Sequence, residues 1–555
     1  MNIQKLKFNP RLFFLISIHF FANLYYRLSD IAPLPWDQAN HTRLSLLLKN
    51  CFLAGKENCL KSSDYYPIFT HTVTAIFLTI FGNSIFLAQM MGTLFFIFLL
   101  LGVYCYFKKL TSDENKALWT TIVFSFFPVI FHSSRYLWLD IPLLGCVFWS
   151  MYFLLLSQSF SKTKFTLLAF AFAGLATMTK WYGPVYLFIP FVFEFYAYIK
   201  NQNKKLLPLL SGTLVFGLIT LPWYLTNFAS VISKTFYYSA ADPSQPPVFS
   251  LKGFLWYFEI SLKWEFGPIL LLLSLICAVF FFLKFPDKKT KLYIGLIYLF
   301  TYLVFSMLGN KDMRFIYIFI PFACCFIVNS FDWLPKKLSL IFKSSLLVWL
   351  VFFFLNFTFS FPLKIPYKNI YKLPFFGWIE WINLANYPVE RPNTNYYPVK
   401  EIVNDFNNLS SEKDSSVLIV FDYPRLNSTN LILEQLANLD KDNFTTHIES
   451  FFVKEGLQDQ NLARDYLQNW DYALVSQTET AYGYFRFKNS FDLLQKQLLS
   501  GKYQEVKRYN IPISDINNYL KETSPQELIS NRANACVNPA SCSQLILFTT
   551  KQKLE

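Results

Sequence analysis

The sequence predicts an α-helical polytopic membrane protein of about eleven transmembrane helices, followed by a C-terminal extracytoplasmic α/β domain. Composition is the first observation behind this. Of 555 residues, 54% are hydrophobic, 20% aromatic and 15% charged, where a soluble domain has about 25% charged residues. The second is a series of apolar runs of roughly 17–25 residues, enough to cross a bilayer. The third is where the lysines fall between those runs.

The runs lie near 12–32, 84–107, 117–134, 136–157, 165–181, 183–199, 207–226, 266–283, 292–308, 315–331 and 340–360. The first follows Lys5, Lys7 and Arg11 but has no small-residue cleavage site after it, so it reads as a helix that stays in the membrane. Lys108, Lys109 and Lys116 follow span two; Lys162 and Lys164 span four; Lys200, Lys204 and Lys205 span six; Lys284, Lys288, Lys289 and Lys291 span eight; Lys336 and Lys337 span ten. If spans alternate, all of these share one side with the N-terminus, which the positive-inside rule makes cytoplasmic. An odd number of spans then puts the C-terminal domain outside. The net charge of +14 has the same origin. It comes as small clusters between apolar spans, not one basic face, which argues against a nucleic-acid partner.

Three outer segments stand apart. The loop 33–83 holds a semi-apolar stretch, Tyr65 to Phe81, that reads as an interfacial helix. The loop 227–263 is long and proline-bearing. Residues 361–394 are rich in aromatics and proline and read as a membrane-surface collar. From 395 to 555 the pattern is that of a small α/β domain, with strands at 416–422, 472–476 and 545–550 and helices at 429–439 and 490–500.

Of the nine cysteines, Cys105, Cys146, Cys277, Cys324 and Cys325 sit in apolar runs as small core residues. Cys51 and Cys59 lie close together in a polar loop, as do Cys536 and Cys542. Each pair can close a short disulfide if its segment faces an oxidising compartment. Neither has zinc-site spacing. Few histidines and scattered acids indicate no cofactor and no dedicated metal cage, though a divalent metal stays open.

The functional signal is a set of ionisable residues at the outer ends of spans, where charge is costly and usually marks a site. Asp37 follows span one and suits a general base on a hydroxyl, or an ordinary helix-initiating aspartate. Arg135 and Asp140 flank the outer turn between spans three and four, as a phosphate ligand and a supporting acid or as a structural ion pair. Lys180 ends span five, as a phosphate ligand or a snorkelling lysine. Lys311 and Arg314 lie between spans nine and ten, where Arg can grip phosphate in bidentate fashion or both can serve as interfacial anchors. All four places share one face. That suits a ligand with a phosphate at the interface and a lipid tail between helices.

In order and spacing these pieces resemble the GT-C glycosyltransferases, specifically the protein mannosyltransferase and aminoarabinose transferase group. The resemblance covers roughly residues 10–330. It rests on the Asp37 loop, Tyr66-Pro67 running into Phe81-Gly82, Ser134-Arg135-Tyr136 to Asp140, Gly174 to Lys180, Leu221-Pro222-Trp223, and Lys311 to Pro321. Asn310-Lys311-Asp312-Met313-Arg314-Phe315 also resembles the His-Lys-Glu-x-Arg-Phe motif of lipid-anchor mannosyltransferases. The resemblance implies a polyprenyl-phosphate-sugar donor and inverting transfer to an extracytoplasmic glycan, lipid or protein acceptor. It implies that Asp37 is the catalytic base, that Lys180 and Arg314, and more weakly Lys311 and Arg135, hold the lipid phosphate, and that Asp140 is an acceptor-side or supporting acid. The sequence departs from the pattern at Gln38, where many relatives have Glu, and at Asn310, where the lipid-anchor enzymes have His.

Two other readings compete. A multi-pass transporter or flippase would also bury charges, but the sequence has no inverted repeat and its charges gather at one face rather than the midplane. A catalytically inactive scaffold relative would keep the fold, yet Asp37, Lys180 and Arg314 are all present.

Overall fold

The computed structural model describes residues 9–61, 65–200, 206–239, 246–360, 370–373, 377–380, 391–409, 415–423, 425–438, 446–450, 457, 459–477, 488–512 and 542–552. The chain divides into two compact units. The first comprises residues 1–28, 48–82 and 86–392, and the second 29–47, 83–85 and 393–555.

The helices of the N-terminal part are α1 (Pro10–Ser29), α2 (Trp36–Leu53), α3 (Phe69–Phe81), α4 (Ile85–Thr111), α5 (Glu114–Ser125), α6 (Pro128–Ser133), α7 (Asp140–Ser157), α8 (Thr163–Thr177), α9 (Gly183–Lys200), α10 (Leu206–Ser239), α11 (Leu251–Ile260), α12 (Gly267–Lys284), α13 (Lys288–Ser306), α14 (Phe319–Ser330) and α15 (Lys336–Phe359). Among the described residues, six are long and apolar enough to cross a bilayer: α1, α4, α7, α10, α12 and α15. Such helices satisfy their own backbone polar groups, which hydrocarbon requires.

Each expected apolar run meets a helix, with two differences. The run at 117–134 is broken into α5 and α6 at Phe127, which is extended (φ −64°, ψ 127°) because Pro128 follows it. Helix α10 continues about a dozen residues into the expected 227–263 loop, because nothing between Asn227 and Ser239 breaks a helix. The interfacial helix expected at 65–81 occupies 69–81. Caps follow local chemistry. The Asp113 carboxylate accepts from the Asn115 and Lys116 amides to start α5, Ser250 starts α11 and Asp287 starts α13, each worth about 1 kcal/mol. The Cys51–Cys59 disulfide is formed, and Cys59 packs with Leu48, Ile68, Met178 and Trp223. Cys536 lies outside the described residues, and with it the expected pairing to Cys542. So does most of the 361–394 segment, of which β1 (Ile370–Leu373) and β2 (Gly377–Glu380) form an antiparallel pair.

The second unit holds strands β3 (Ser415–Val420), β4 (Thr446–Ser450), β5 (Tyr472–Ser476), β6 (Tyr503–Pro512) and β7 (Cys542–Gln552), with helices α16 (Val399–Leu409), α17 (Ser428–Asn438), α18 (Gln460–Leu467) and α19 (Lys488–Leu498). The sheet order is β4-β3-β5-β7-β6; β3 is parallel to β4 and β5, while β7 is antiparallel to β5 and β6. Period-two alternation along β3 sends Val417, Ile419 and Phe421 against α16 and α17, and Leu418 and Val420 against α18 and α19. Helices thus cover both faces, as burial of a near-continuous apolar strand demands.

Candidate active site

The turns between helices of the first unit bring together charges that are far apart in sequence. Helix α7 begins at Asp140, whose carboxylate is buried. Lys180 Nζ donates to its two oxygens at 2.8 and 3.0 Å, and the Tyr182 hydroxyl donates to Oδ1 at 2.8 Å. Arg314 Nη1 lies 3.9 Å from Oδ2. Arg314 in turn grips Asp312 from Nε, 2.9 Å to each oxygen, and through Nη2. Its guanidinium also sits over the Trp138 ring, 5.5 Å from the centroid. Two acids and two cations therefore share one low-dielectric site, where each pair satisfies what its members would lose by leaving water. Burial raises the Asp312 pKa, but the charge and hydrogen bonds of Arg314 and the charge of Lys180 outweigh it and hold the carboxyl below its usual range.

Local sequence explains how these side chains are held. Lys180 follows α8 in a tight reversal closed by Lys180 N to Ala176 O and Gly183 N to Lys180 O. A Cβ on Gly183 would stand 2.7 Å from the Ala176 carbonyl oxygen, so this turn needs glycine. The turn is fastened from outside by Phe69 N, which donates to Met178 O, and by the Tyr224 hydroxyl on Thr177 O. The 134–140 turn rests on α1 and α4. Asn23 Nδ2 donates to Ser134 O and Oγ, Thr93 to Ser134 O, and Leu137 N to Gln89 Oε1. Gly92 allows that approach, since a Cβ there would meet Tyr136 O at 2.0 Å.

Of the residues expected at the site, Asp140, Lys180 and Arg314 come together. Lys311 is buried beside them in sequence and donates to Leu308 O at 2.7 Å. Arg135 is engaged with other elements. Its fully buried guanidinium donates to Phe357 O at 3.1 Å and to the Thr358 hydroxyl, and stacks on Tyr26 and Phe131. Asp37 belongs to the second unit, where it is half-buried in the first turn of α2, an end that favours an acid. Tyr182, Trp138 and Asp312 are site members that the sequence did not single out by role. Asp312 stood in a quoted motif and Tyr182 two residues from Lys180, but neither pattern names a partner. Among the described residues, no group of three His, Cys, Asp or Glu side chains could hold a metal.

Residues 66–225 match a family model described as dolichyl-phosphate-mannose-protein mannosyltransferase. That stretch includes Asp140 and Lys180 and leaves out Asp37 and Arg314. No curated protein sequence matches the chain. Among solved structures the chain is similar to ArnT from Cupriavidus metallidurans bound to undecaprenyl phosphate, with 16% identity and a TM-score of 0.45, covering 63% of this chain and 70% of that one. The apo state of ArnT matches with 16% identity and a TM-score of 0.46, covering 64% and 66%. The arabinofuranosyltransferase AftD from Mycobacteria matches with 10% identity and a TM-score of 0.53, over 97% of this chain and 40% of AftD. The chain thus spans two-fifths of AftD, and the fold is shared along nearly all of the shorter partner. Residues 66–225 are thus similar in sequence to that mannosyltransferase family model, and the fold resembles that of AftD along nearly all of this chain.

Proposed function

We propose that this protein transfers a sugar from a polyprenyl-phosphate donor to an acceptor hydroxyl outside the cytoplasm, with inversion at the anomeric carbon. The observation that carries the reading is the cluster of Asp140, Lys180, Tyr182, Asp312 and Arg314, within a fold shared with membrane glycosyltransferases. In this reading Asp37 takes the proton from the acceptor hydroxyl. The acceptor oxygen then forms its bond to the anomeric carbon as the bond from that carbon to the phosphate oxygen breaks. The electron pair leaves on the polyprenyl phosphate, whose growing charge is met by a cation.

Arg314 is the better phosphate ligand of the two clustered cations, because its side chain is 18% exposed against 9% for Lys180. Lys180 is spent on Asp140 and fixes the turn from which Arg314 is approached. Lys311 adds positive charge to the same outer turn. Arg135 serves the framework, because Nη1 and Nη2 of its guanidinium donate to the end of α15. The N-terminus is cytoplasmic, about eleven spans follow, and the soluble domain from residue 395 lies outside; the Cys51–Cys59 disulfide supports an outer position for its loop. The acceptor, whether glycan, lipid or protein, and the sugar are set by contacts that these residues do not define.

The test is donor consumption. Purified protein in bilayers is given polyprenyl-phosphate sugars and a membrane extract as acceptor, and wild type is compared with Asp37→Asn. Release of polyprenyl phosphate by wild type alone supports the reading. No release by either folded protein sinks it and revives the transporter or scaffold reading, which solute uptake into empty vesicles would then separate.

A further inference from the structure

The segment that carries Asp37 is held by the α/β unit, not left as a free loop. Residues 29–47 and 393–555 both belong to the second unit. The Trp36 indole N–H donates to Asp422 Oδ1 at 2.6 Å. Arg425 donates from Nη1 to Pro33 O at 3.0 Å and lies 3.5 Å from Asp30 Oδ1, both side chains being buried. Asn430 Nδ2 donates to Leu34 O at 2.7 Å. Asp30 also accepts from Asn393 N at 2.9 Å, while Ile31 N and Ala32 N donate to Asn393 O. Residues 30–36 therefore meet the domain through both backbone and side chains, and α2 starts where that grip ends.

The place of this grip in the sheet matters. Residues 421–430 leave the carboxyl end of β3. From there the chain runs through α17, which packs on one face with Leu431, whereas β5 leads on to α19, which packs on the other face with Phe491 and Leu494. The carboxyl ends of β3 and β5 are thus a topological switch point, the crevice in which open α/β sheets bind their ligands. The Tyr423 hydroxyl bridges it to Ser476 Oγ at 2.6 Å. Reciprocal bonds between Asn427 and Asn430, at 3.2 Å each, stiffen the segment, and Asn427 Nδ2 donates to Tyr423 O. Asn427 heads an Asn-x-Ser/Thr triplet, but its amide is buried in this network.

We infer that the α/β domain uses its switch-point crevice as an internal receptor for the segment 30–37, with Asp422, Arg425 and Asn430 as positioning residues that fix where Asp37 stands. The inference rests on the reading of Asp37 as the base. It assigns the domain a part in turnover that does not require it to touch substrate. Charge and backbone recognition of this kind fixes a register, because each bond is directional and Arg425 sets a guanidinium beside the buried Asp30 carboxylate.

The experiment uses the full chain in bilayers, with Asn430→Ala, Arg425→Ala and the conservative Arg425→Lys. Amide hydrogen exchange is followed in residues 30–41 and in β3, beside kcat and donor KM. The expected result is exchange in 30–41 faster by about tenfold or more in both alanine variants, with β3 unchanged. Turnover falls by about tenfold while donor KM stays within about twofold, and Arg425→Lys recovers part of both losses. Unchanged exchange in 30–41, or faster exchange with unchanged kcat, overturns the inference. If Arg425→Ala does not fold, Asn430→Ala decides alone. If wild type consumes no donor, the functional reading fails, and protected exchange in 30–41 that Asn430→Ala abolishes still supports the receptor.

Discussion

Lys180 Nζ and the Asp140 carboxylate, forty residues apart, form a two-oxygen ion pair in which both side chains are buried. Neither charge is cheap alone. Removing one leaves the other in a low-dielectric site, so Asp140→Ala should destabilise the membrane unit by about 3–5 kcal/mol. Thermal unfolding in detergent measures this. Asp140→Ala with Lys180→Met should regain a good part of that loss, whereas a double-variant loss equal to the sum of the two single-variant losses would mean that the pair carries little coupling.

Arg314 grips Asp312 through a fork that lysine lacks. Arg314→Lys should leave thermal stability within about 1 kcal/mol yet cut donor turnover by about ten- to a hundredfold, because a point charge orients an oxyanion poorly. Turnover close to wild type would remove Arg314 from the phosphate site.

Asp422 gives a pH signature. Burial raises its pKa from 3.8 to about 6, against the opposing hydrogen bond from Trp36. A raised acid binds its proton more tightly folded than unfolded. Its contribution is therefore full at low pH and lost as pH rises from about 4 to about 6, by about 1–2 kcal/mol after allowing for partial exposure. The melting temperature of Asp422→Asn relative to wild type should climb over that window and level off above it. A flat difference would mean that Asp422 titrates as an ordinary carboxyl.

The Cys51–Cys59 bond closes a loop of sequence separation 8, which in the chain-entropy account is worth about 2.5 kcal/mol. Reduction, or Cys51→Ser with Cys59→Ser, should lower the melting temperature. In sealed cells the reduced thiols should react with an impermeant maleimide from outside. Labelling only after lysis would reverse the proposed orientation.

Gly92→Ala should be among the most damaging small substitutions in α4, because its Cβ would collide with the Tyr136 carbonyl of the turn that leads to Asp140. Loss of both folding yield and turnover is expected, while Gly55→Ala, which meets nothing within 4 Å, tests strain from a positive φ alone and should cost about 1 kcal/mol.

The membrane part was legible because hydrocarbon imposes a length and an apolar composition that each span must satisfy locally. The positions of apolar helices and of the charged turns between them could therefore be read one by one. The break at Phe127 was readable too, since proline acts on the residue before it, but the apolar run concealed it. In the tail, the strand expected at 416–422 runs 415–420 and that at 472–476 keeps its bounds, because buried parallel strands are dense in β-branched and aliphatic residues. Strand β6 (YQEVKRYNIP) was not expected, since much of it is polar and its pairing with β7 is non-local.

By itself the sequence determined where apolar helices form and which ionisable residues stand at their ends, since burying a charge or an apolar run has a cost that local sequence already records. Only the tertiary structure decided the partners: that Lys180 is neutralised by Asp140, that Arg314 is oriented by Asp312 and Trp138, that Arg135 donates to Phe357 and Thr358, and that the Asp37 segment is held by Asp422, Arg425 and Asn430. Such pairings join positions from two to nearly four hundred residues apart, and no local propensity encodes which distant group will answer a buried charge.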